Sequence, residues 1–307
     1  MTKKDTKDVA HSVRARLLAL ARSQGRHNQD VLINYAMERF LYRLSLSSHA
    51  GNMVLKGALM LHVLEKTFLR ATRDIDFLAF FANKKETITS VFKSILQTPV
   101  PNDGLIFDLE HIDIRLTQLD SKEMGAKVVF WASLGTAKLK LNADIGFGYN
   151  VVPEPYWVNY PSLLGDKHAK ILGYTAESIV ADKFESMVSR QLENSRMKDF
   201  YDMWVLANSQ SFDNETLKAA ILETFNYFDT VVPQETPLCF EVDFFENTLR
   251  KTQWNGFLKS AGIETNLSLK DAALCCKNFL MPLCNELHKT TFTKKIWLHD
   301  VLRWEDA

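Results

Sequence analysis

Cysteine is scarce in this sequence, and its few copies are not arranged as a metal site or a redox motif. The 307 residues include four cysteines, at Cys239, Cys275, Cys276 and Cys284. No two of them form a Cys-x-x-Cys pair, and no histidines accompany them at zinc-ligand spacing. We therefore expect free thiols in a reducing cytoplasm.

Long apolar runs are absent as well. No run reaches the length of a membrane span, and the amino-terminal sequence is MTKKDTKDVA, which lacks the apolar core of a signal peptide. We expect a cytoplasmic protein with no membrane partner.

The sequence also lacks an excess of charge of either sign. Lys and Arg number 37, Asp and Glu number 37, and the net charge is zero. Whole-chain charge therefore neither favours nor excludes a nucleic-acid partner, but residues 1–29 are locally basic. Against Asp5 and Asp8, this segment carries Lys3, Lys4, Lys7, Arg14, Arg16, Arg22 and Arg26. These side chains could contact RNA phosphates or form a solvated helix face.

The chain has the composition of a globular protein, with 46% hydrophobic and 24% charged residues. Apolar spacing predicts helices, strands and two domains, 1–165 and 166–307. Helices are expected over 8–48 with a break near 23–30, over 58–66 and over 84–98. Strands are expected at 52–57, around Asp74, and over 104–118, 126–134 and 136–148. After Thr175, a candidate helix N-cap, the chain is expected to be largely helical to its end.

Two aspartates interrupt the apolar run at residues 69–80, which reads LRATRDIDFLAF. Asp74 and Asp76 lie two apart, so on a strand they point to the same face. Asp144 lies on the polar face of the strand predicted over 136–148. If these strands are neighbours, the three carboxylates can converge and bind Mg²⁺, which prefers oxygen ligands and pairs with substrate phosphates. Alternatively, they end strands or pair with Arg70 and Arg73.

Two further positions suggest phosphate binding. Gly57 lies in LKGAL, at a strand-to-helix junction where backbone N–H groups can bind a phosphate, and Lys56 adds positive charge. The alternative is an ordinary turn glycine. Lys183 interrupts an apolar helical stripe, where it either extends to water or binds an anion. Asp202 and Lys198 lie four apart and could form a plain surface ion pair.

Four segments in a fixed order resemble the AbiEii-type nucleotidyltransferase toxins, which include abortive-infection toxins and the MenT toxins. The segments are LKGALMLHVLEKTFLRATRDIDF, LNADIGFG, ESIVADKFESMVSR and NSRMKDFYDMWVL. The resemblance covers about residues 30–210. It implies an α+β fold: a polymerase β-type nucleotidyltransferase core, with a mixed sheet flanked by helices, followed by a mostly helical domain that contributes to the active site. It also implies a type IV toxin–antitoxin system with a separately encoded antitoxin.

The resemblance assigns roles to individual residues. Asp74, Asp76 and Asp144 match the metal-binding carboxylates. Gly57 and Ala58 match the family's glycine and the small residue that follows it, although many members have Ser or Gly where Ala58 stands. Three further matches are Lys56 before the glycine, Lys183 as the contact to the triphosphate, and Asp202 as the residue that positions Lys183.

The resemblance implies transfer of a nucleotide from a nucleoside triphosphate to an RNA 3′ end, with tRNA as the expected acceptor. In this reaction the RNA 3′-hydroxyl attacks the α-phosphate, and Asp144 helps to activate it through a bound metal. Two other functions fit the same residues. One is a protein that binds a nucleotide such as GTP and transfers nothing, and the other is a metal-dependent nuclease, which has less need of Gly57 and Lys183.

Overall fold

The computed structural model describes residues 3–66, 70–119, 123–148, 150–165, 167–288 and 293–307. The chain divides into two compact units. The first consists of Met1–Gly148 and Tyr156–Gly173, and the second of Tyr149–Pro155 and Tyr174–Ala307. The division predicted after residue 165 stays a prediction.

Four helices of the first unit are described, and the predicted break between the first two is confirmed. They are α1 (Lys3–Ser23), α2 (Asn28–Leu46), α3 (Gly57–Glu65) and α4 (Lys85–Leu96). The chain breaks between α1 and α2 at Gly25, whose φ of 62° suits a residue without a side chain.

The strands of the first unit form one mixed sheet. They are β1 (Met53–Lys56), β2 (Asp74–Ala79), β3 (Leu105–Phe107), β4 (Asp113–Leu119), β5 (Glu123–Leu134), β6 (Ala137–Phe147), β7 (Tyr156–Tyr160) and β8 (Ala169–Gly173). Their order is β3-β5-β6-β2-β1-β8-β7, with β4 also paired to β5. Strand β2 runs parallel to β6 and antiparallel to β1.

One face of this sheet is buried under helices α2 and α4. The ring of Phe40 in α2 lies 6.3 Å from Phe77 of β2, 5.0 Å from Phe130 of β5 and 5.6 Å from Phe92 of α4. Burying side chains of this size contributes about 1.5–3 kcal/mol each. Alternate residues of β2 and β6 are consequently left on the opposite face, where the polar residues lie.

Two sequence expectations for the sheet were incomplete. The strand predicted over 104–118 is divided into β3 and β4, because the Asp108 carboxylate accepts hydrogen bonds from the backbone N–H groups of Glu110 and His111 and forms a turn. Strands β7 and β8 were not predicted, since prolines and glycine surround these short segments.

The second unit is mostly helical. Its helices are α5 (Ala176–Arg190), α6 (Met197–Ser209), α7 (Asn214–Tyr227), α8 (Val242–Phe245), α9 (Thr248–Ala261) and α10 (Leu269–Leu287). Thr175 is the N-cap of α5, and its hydroxyl accepts a hydrogen bond of 3.2 Å from the N–H of Ser178, as predicted. Helix α5 packs on α7 through Phe184 and Phe225, whose rings are 5.2 Å apart.

The end of the second unit departs from the helical expectation. Strands β9 (Phe212–Asp213), β10 (Lys295–Leu298) and β11 (Arg303–Asp306) form a small antiparallel sheet. The α+β class, with a mixed sheet flanked by helices and a mostly helical region after it, is nevertheless confirmed. All four cysteines are free and buried.

Among the described residues, every helix is too short or too polar to cross a membrane.

Candidate functional site

The register between β2 and β6 places two of the predicted aspartates side by side. Asp76 is the partner of Asp144, and Asp74 is the partner of Asn142. Ile75 and Ala143, which alternate with these residues, are fully buried. The polar residues therefore share the opposite face, and neighbouring strands are about 4.8 Å apart.

Gly57 is required by the position of Asp76. Its φ is 66°, and a side-chain Cβ placed on it would lie 2.0 Å from Asp76 Oδ2. Any residue other than glycine would be strained in the backbone and would displace the carboxylate. The carboxylate of Asp76 therefore lies directly against the first residue of α3.

The start of α3 offers backbone donors at the same place. The N-cap residue is Lys56, whose ammonium cannot accept a hydrogen bond, so its side chain does not cap the first N–H groups of the helix. These groups and the helix dipole attract anions. Ala58, the second residue of α3, is buried. Lys56 is also the partner of Asp76 across the β1–β2 ladder, which adds a cation to this row.

Asp74 and Asp144 each contact a neighbouring side chain. Asn142 Nδ2 donates a hydrogen bond of 3.1 Å to Asp74 Oδ1, and Lys127 Nζ lies 3.4 Å from Asp144 Oδ1. In the part of the chain that the structure describes, no three His, Cys, Asp or Glu side chains are placed to hold a metal ion together. The three aspartates share a face but do not form a three-ligand cluster.

The donor set nevertheless fits Mg²⁺ with a phosphate substrate. Magnesium in such sites is usually bound by one or two carboxylates, with phosphate oxygens and waters completing its coordination. Asp76 and Asp144 supply two neighbouring carboxylates. A phosphate at the start of α3 would approach the carboxylate of Asp76, and a divalent cation would offset that repulsion.

A second group of charged residues lies in the second unit. Lys183 of α5 donates hydrogen bonds of 2.9 Å to Asp199 Oδ1 and 2.7 Å to Asp202 Oδ2, both on α6. Arg196 Nε lies 2.9 Å from the other oxygen of Asp199, as an ion pair without the geometry of a hydrogen bond. The cluster therefore contains two cations and two carboxylates.

This cluster rules out two of the simpler interpretations. Lys183 does not extend to water, because it is buried with its ammonium on two carboxylates. Asp202 is fully buried, so it cannot form a surface ion pair with the exposed Lys198. An alternative for Asp74 and Asp76 was an ion pair with a nearby arginine. One of these arginines, Arg73, pairs with Asp30 at 3.1 Å. The segment 69–80, which contains Asp74 and Asp76, begins at Leu69, and Leu69 lies outside the described residues.

A family model for the nucleotidyl transferase AbiEii toxin of type IV toxin–antitoxin systems matches residues 39–274. The chain belongs to this family. Membership makes it a nucleotidyltransferase toxin and implies an antitoxin as its partner. Nucleotidyltransferases in general use a nucleoside triphosphate and a divalent metal.

Among curated proteins, the comparison found no match. Two solved structures resemble the chain, both from Helicobacter pylori. JHP933 has 16% sequence identity and a TM-score of 0.47, and the match covers 85% of this chain and 93% of that one. A protein described as a candidate nucleotidyltransferase has 16% identity and a TM-score of 0.46, with 85% and 96% covered.

Three residues of this AbiEii-family chain contact the predicted site residues but were not predicted to do so. They are Asn142 on Asp74, Lys127 on Asp144 and Asp199 on Lys183. Asn142 could have been found from its place on the polar side of β6. Lys127 is the one charged residue within β5 between Ala126 and Leu134, but only the register with β6 shows its partner.

The amino-terminal basic residues are described in part. Arg14 Nη1 donates to Thr136 Oγ1 at 2.8 Å, and Arg16 Nη2 donates to the carbonyl oxygen of Leu164 at 2.7 Å. Arg22 is exposed, and Arg26 is half-buried. The side chains of Lys3, Lys4 and Lys7 lie outside the described residues. RNA contact by this segment stays a prediction.

Proposed function

We propose that this protein transfers a nucleotide from a nucleoside triphosphate to the 3′ end of an RNA, with tRNA as the acceptor, in the cytoplasm. The observation that carries the proposal is the alignment of Asp76 with Asp144 directly beside Gly57 and the start of α3. A metal–triphosphate substrate needs carboxylates to hold the metal and N–H groups to bind phosphate oxygens, and this part of the first unit has both.

The residues of the first unit divide the work of binding. The N–H groups at the start of α3 would bind phosphate oxygens, and Lys56 would add positive charge next to them. Asp76 and Asp144 would hold Mg²⁺, which neutralises charge between the carboxylates and the triphosphate. Asn142 fixes the carboxylate of Asp74 by its hydrogen bond, so that Asp74 would orient the neighbouring groups.

The transfer itself has a simple balance. The 3′-hydroxyl oxygen forms a bond to the α-phosphorus, the bond from this phosphorus to the bridging oxygen breaks, pyrophosphate leaves, and the hydroxyl proton passes to solvent. The family resemblance assigns Lys183 to the triphosphate, with Asp202 positioning it. That role remains part of the proposal.

The test is incubation of the purified protein with each labelled nucleoside triphosphate and total RNA, with Mg²⁺ or with EDTA. We expect label in RNA, and Asp76→Asn should lower the rate by about 100-fold or more, as the loss of one stabilising group in an active site does. The matched control is Glu86→Gln on α4, an exposed carboxylate of the same unit. Absence of label in RNA with every nucleoside triphosphate contradicts transfer, and undiminished transfer by folded Asp76→Asn protein contradicts the assignment of the site to Asp76.

The second candidate function is nucleotide binding, for example of GTP, without transfer. The ion pair between Lys127 and Asp144 favours it, because that lysine partly occupies a carboxylate needed for the metal. Binding of a nucleoside triphosphate without pyrophosphate release, with every RNA tested, would support this candidate instead.

A further inference from the structure

Beyond the aspartates, the polar side of β6 continues as a row of lysines. Lys138, Lys140, Asn142 and Asp144 alternate with buried residues and therefore share one face. Both lysines are exposed. Lys138 and Asp144 lie six positions apart, which at about 3.3 Å per residue is a row of about 20 Å ending at the candidate site.

The neighbouring strand β5 adds an aromatic ring and another lysine to this face. In the antiparallel register, Trp131 is the partner of Lys140, and Lys127 is the partner of Asp144. Phe130 and Ala132 on either side of Trp131 are buried in the core, so Trp131 belongs to the same face as the lysines. It is half-buried, so part of the residue is open to solvent.

Strand β4 extends the face by one more cation. Arg115 is exposed and is the partner of Lys127. At the other end, Arg14 lies against the turn between β5 and β6, where it bonds to Thr136. We name as the basic face the five residues Arg115, Lys127, Trp131, Lys138 and Lys140. Asp113 of β4 is a carboxylate beside it.

We propose that the basic face binds the single-stranded end of the RNA acceptor and leads its 3′-hydroxyl toward Asp76 and Asp144. This inference rests on the proposed function and names where the acceptor lies. A polyanion fits because four of the five residues are cations on a chain whose net charge is zero. The carboxylates of Asp76 and Asp144 at one end of the row would repel phosphates, so the RNA strand would end there.

The tryptophan favours a single strand over a duplex. Proteins that bind single strands combine cations along the backbone with aromatic rings on which bases stack. Duplex RNA is bound through phosphates and hydroxyl groups, and its bases are not free to stack on a side chain. Trp131 next to Lys140 provides one stacking position beside one phosphate position.

The test measures binding of a fluorescein-labelled 12-nucleotide single-stranded RNA with a free 3′-hydroxyl, at several salt concentrations. Lys138→Ala/Lys140→Ala should weaken binding about tenfold at low salt. Because about 0.7 counterions are released per phosphate contact on a single strand, loss of two contacts should reduce the salt slope by about 1.4. The matched control is Lys84→Ala/Lys85→Ala, which removes two exposed lysines at α4 and should change neither value.

Trp131→Leu separates stacking from charge. It should weaken RNA binding several-fold while leaving the salt slope unchanged, because no phosphate contact is lost. Binding of a nucleoside triphosphate should be unchanged in both variants, which also shows that they are folded.

Unchanged RNA affinity and salt slope in the double lysine variant overturn the inference. If transfer then still depends on Asp76, the acceptor is held elsewhere and the proposed function stands. If the wild-type protein transfers no nucleotide to any RNA while the lysine variant loses RNA binding, the proposed function fails and the RNA surface stands. Weakened binding of the cognate antitoxin with unchanged RNA affinity would assign the basic face to a protein partner and also overturn the inference.

Discussion

In the first unit the carboxylate of Asp144 is 43% exposed, with a lysine 3.4 Å away that is itself 47% exposed. In the second unit the side chains of Lys183, Asp199 and Asp202 are 9%, 2% and 0% exposed, and their contacts are 2.7–2.9 Å. In each unit the comparison concerns one lysine and the aspartates that it contacts. The two groups differ in whether water can reach them.

That difference separates a site that is open to a ligand from a group of charges that hold one another in place. Charges open to water interact weakly with each other, and a ligand can displace them at low cost. Buried charges have lost their hydration, so each depends on its partners in the protein. The first unit thus keeps its carboxylates available, and the second uses carboxylates to fix one ammonium.

We expect the largest loss of stability when a buried lysine loses one of its carboxylate partners. Asp202→Ala removes a buried carboxylate from Lys183, and breaking a buried pair in this way costs about 3–5 kcal/mol of the free energy of unfolding. Asp144→Ala should cost less than about 1 kcal/mol, because its pair with Lys127 is exposed. Urea denaturation of the two variants measures both values.

The cysteines provide a local readout, because all four lie in the second unit. Burial raises the pKa of Cys239 to about 12 and that of Cys275 to about 11. Both thiols therefore stay protonated at pH 7.5 and react slowly until they are exposed. Asp202→Ala should speed thiol labelling, and Asp144→Ala should not. Equal stability of the two variants would remove the distinction between the units.

The next effect concerns Gly57. Gly57→Ala should destabilise the protein by about 2–4 kcal/mol, because the left-handed backbone strain adds to a collision with Asp76. Gly25→Ala is the control: its φ is 62°, but nothing lies within 4 Å of the added Cβ. It should cost only the strain, about 1–2 kcal/mol. Thermal unfolding compares them, and equal losses would show that the contact with Asp76 contributes nothing.

The sequence predicted the parts of the first unit that depend on local patterns. Alternation identified β6 and its polar face, and the break between α1 and α2 was expected from its polar residues. The sequence predicts the pairing of Asp76 with Asp144 only if β2 and β6 are neighbours and run in one register. Alternation along one strand cannot supply that register.

The second unit shows the same limit for charged residues. Spacing on α6 suggested a surface pair of Lys198 with Asp202, because residues four apart share a helix face. The packing of α6 against α5 decides otherwise by burying Asp202 against Lys183. Partners that come from different helices are set by tertiary packing, which helix periodicity does not record.

Glu286 of α10 belongs to a less deeply buried charge group of the second unit. Its side chain is 12% exposed, with Lys218 at 3.1 Å and Lys295 at 3.0 Å. Burial opposes ionisation, but hydrogen bonds from Lys295, Lys218 and Asn214 outweigh it and lower the pKa of the Glu286 carboxyl below its ordinary value. A carboxyl with a lowered pKa in the folded state stabilises that state above its unfolded-state pKa. This stabilisation is lost as pH falls through the folded-state pKa.

The smallest expected effect is therefore dependent on pH. At pH 6, Glu286→Gln should reduce the free energy of unfolding by about 1–3 kcal/mol, because hydrogen bonds to a charged group are lost. The difference from the wild-type protein should shrink as pH falls below about 4.5, the ordinary value for a glutamate. Thermal unfolding between pH 3 and pH 6 measures it. Glu246→Gln is the control, since Lys251 also lowers the pKa of Glu246 but this pair is exposed to water, and we expect no measurable difference. A gap for Glu286→Gln that stays constant down to pH 3 would mean that the glutamate stabilises the unit by packing and not by its charge.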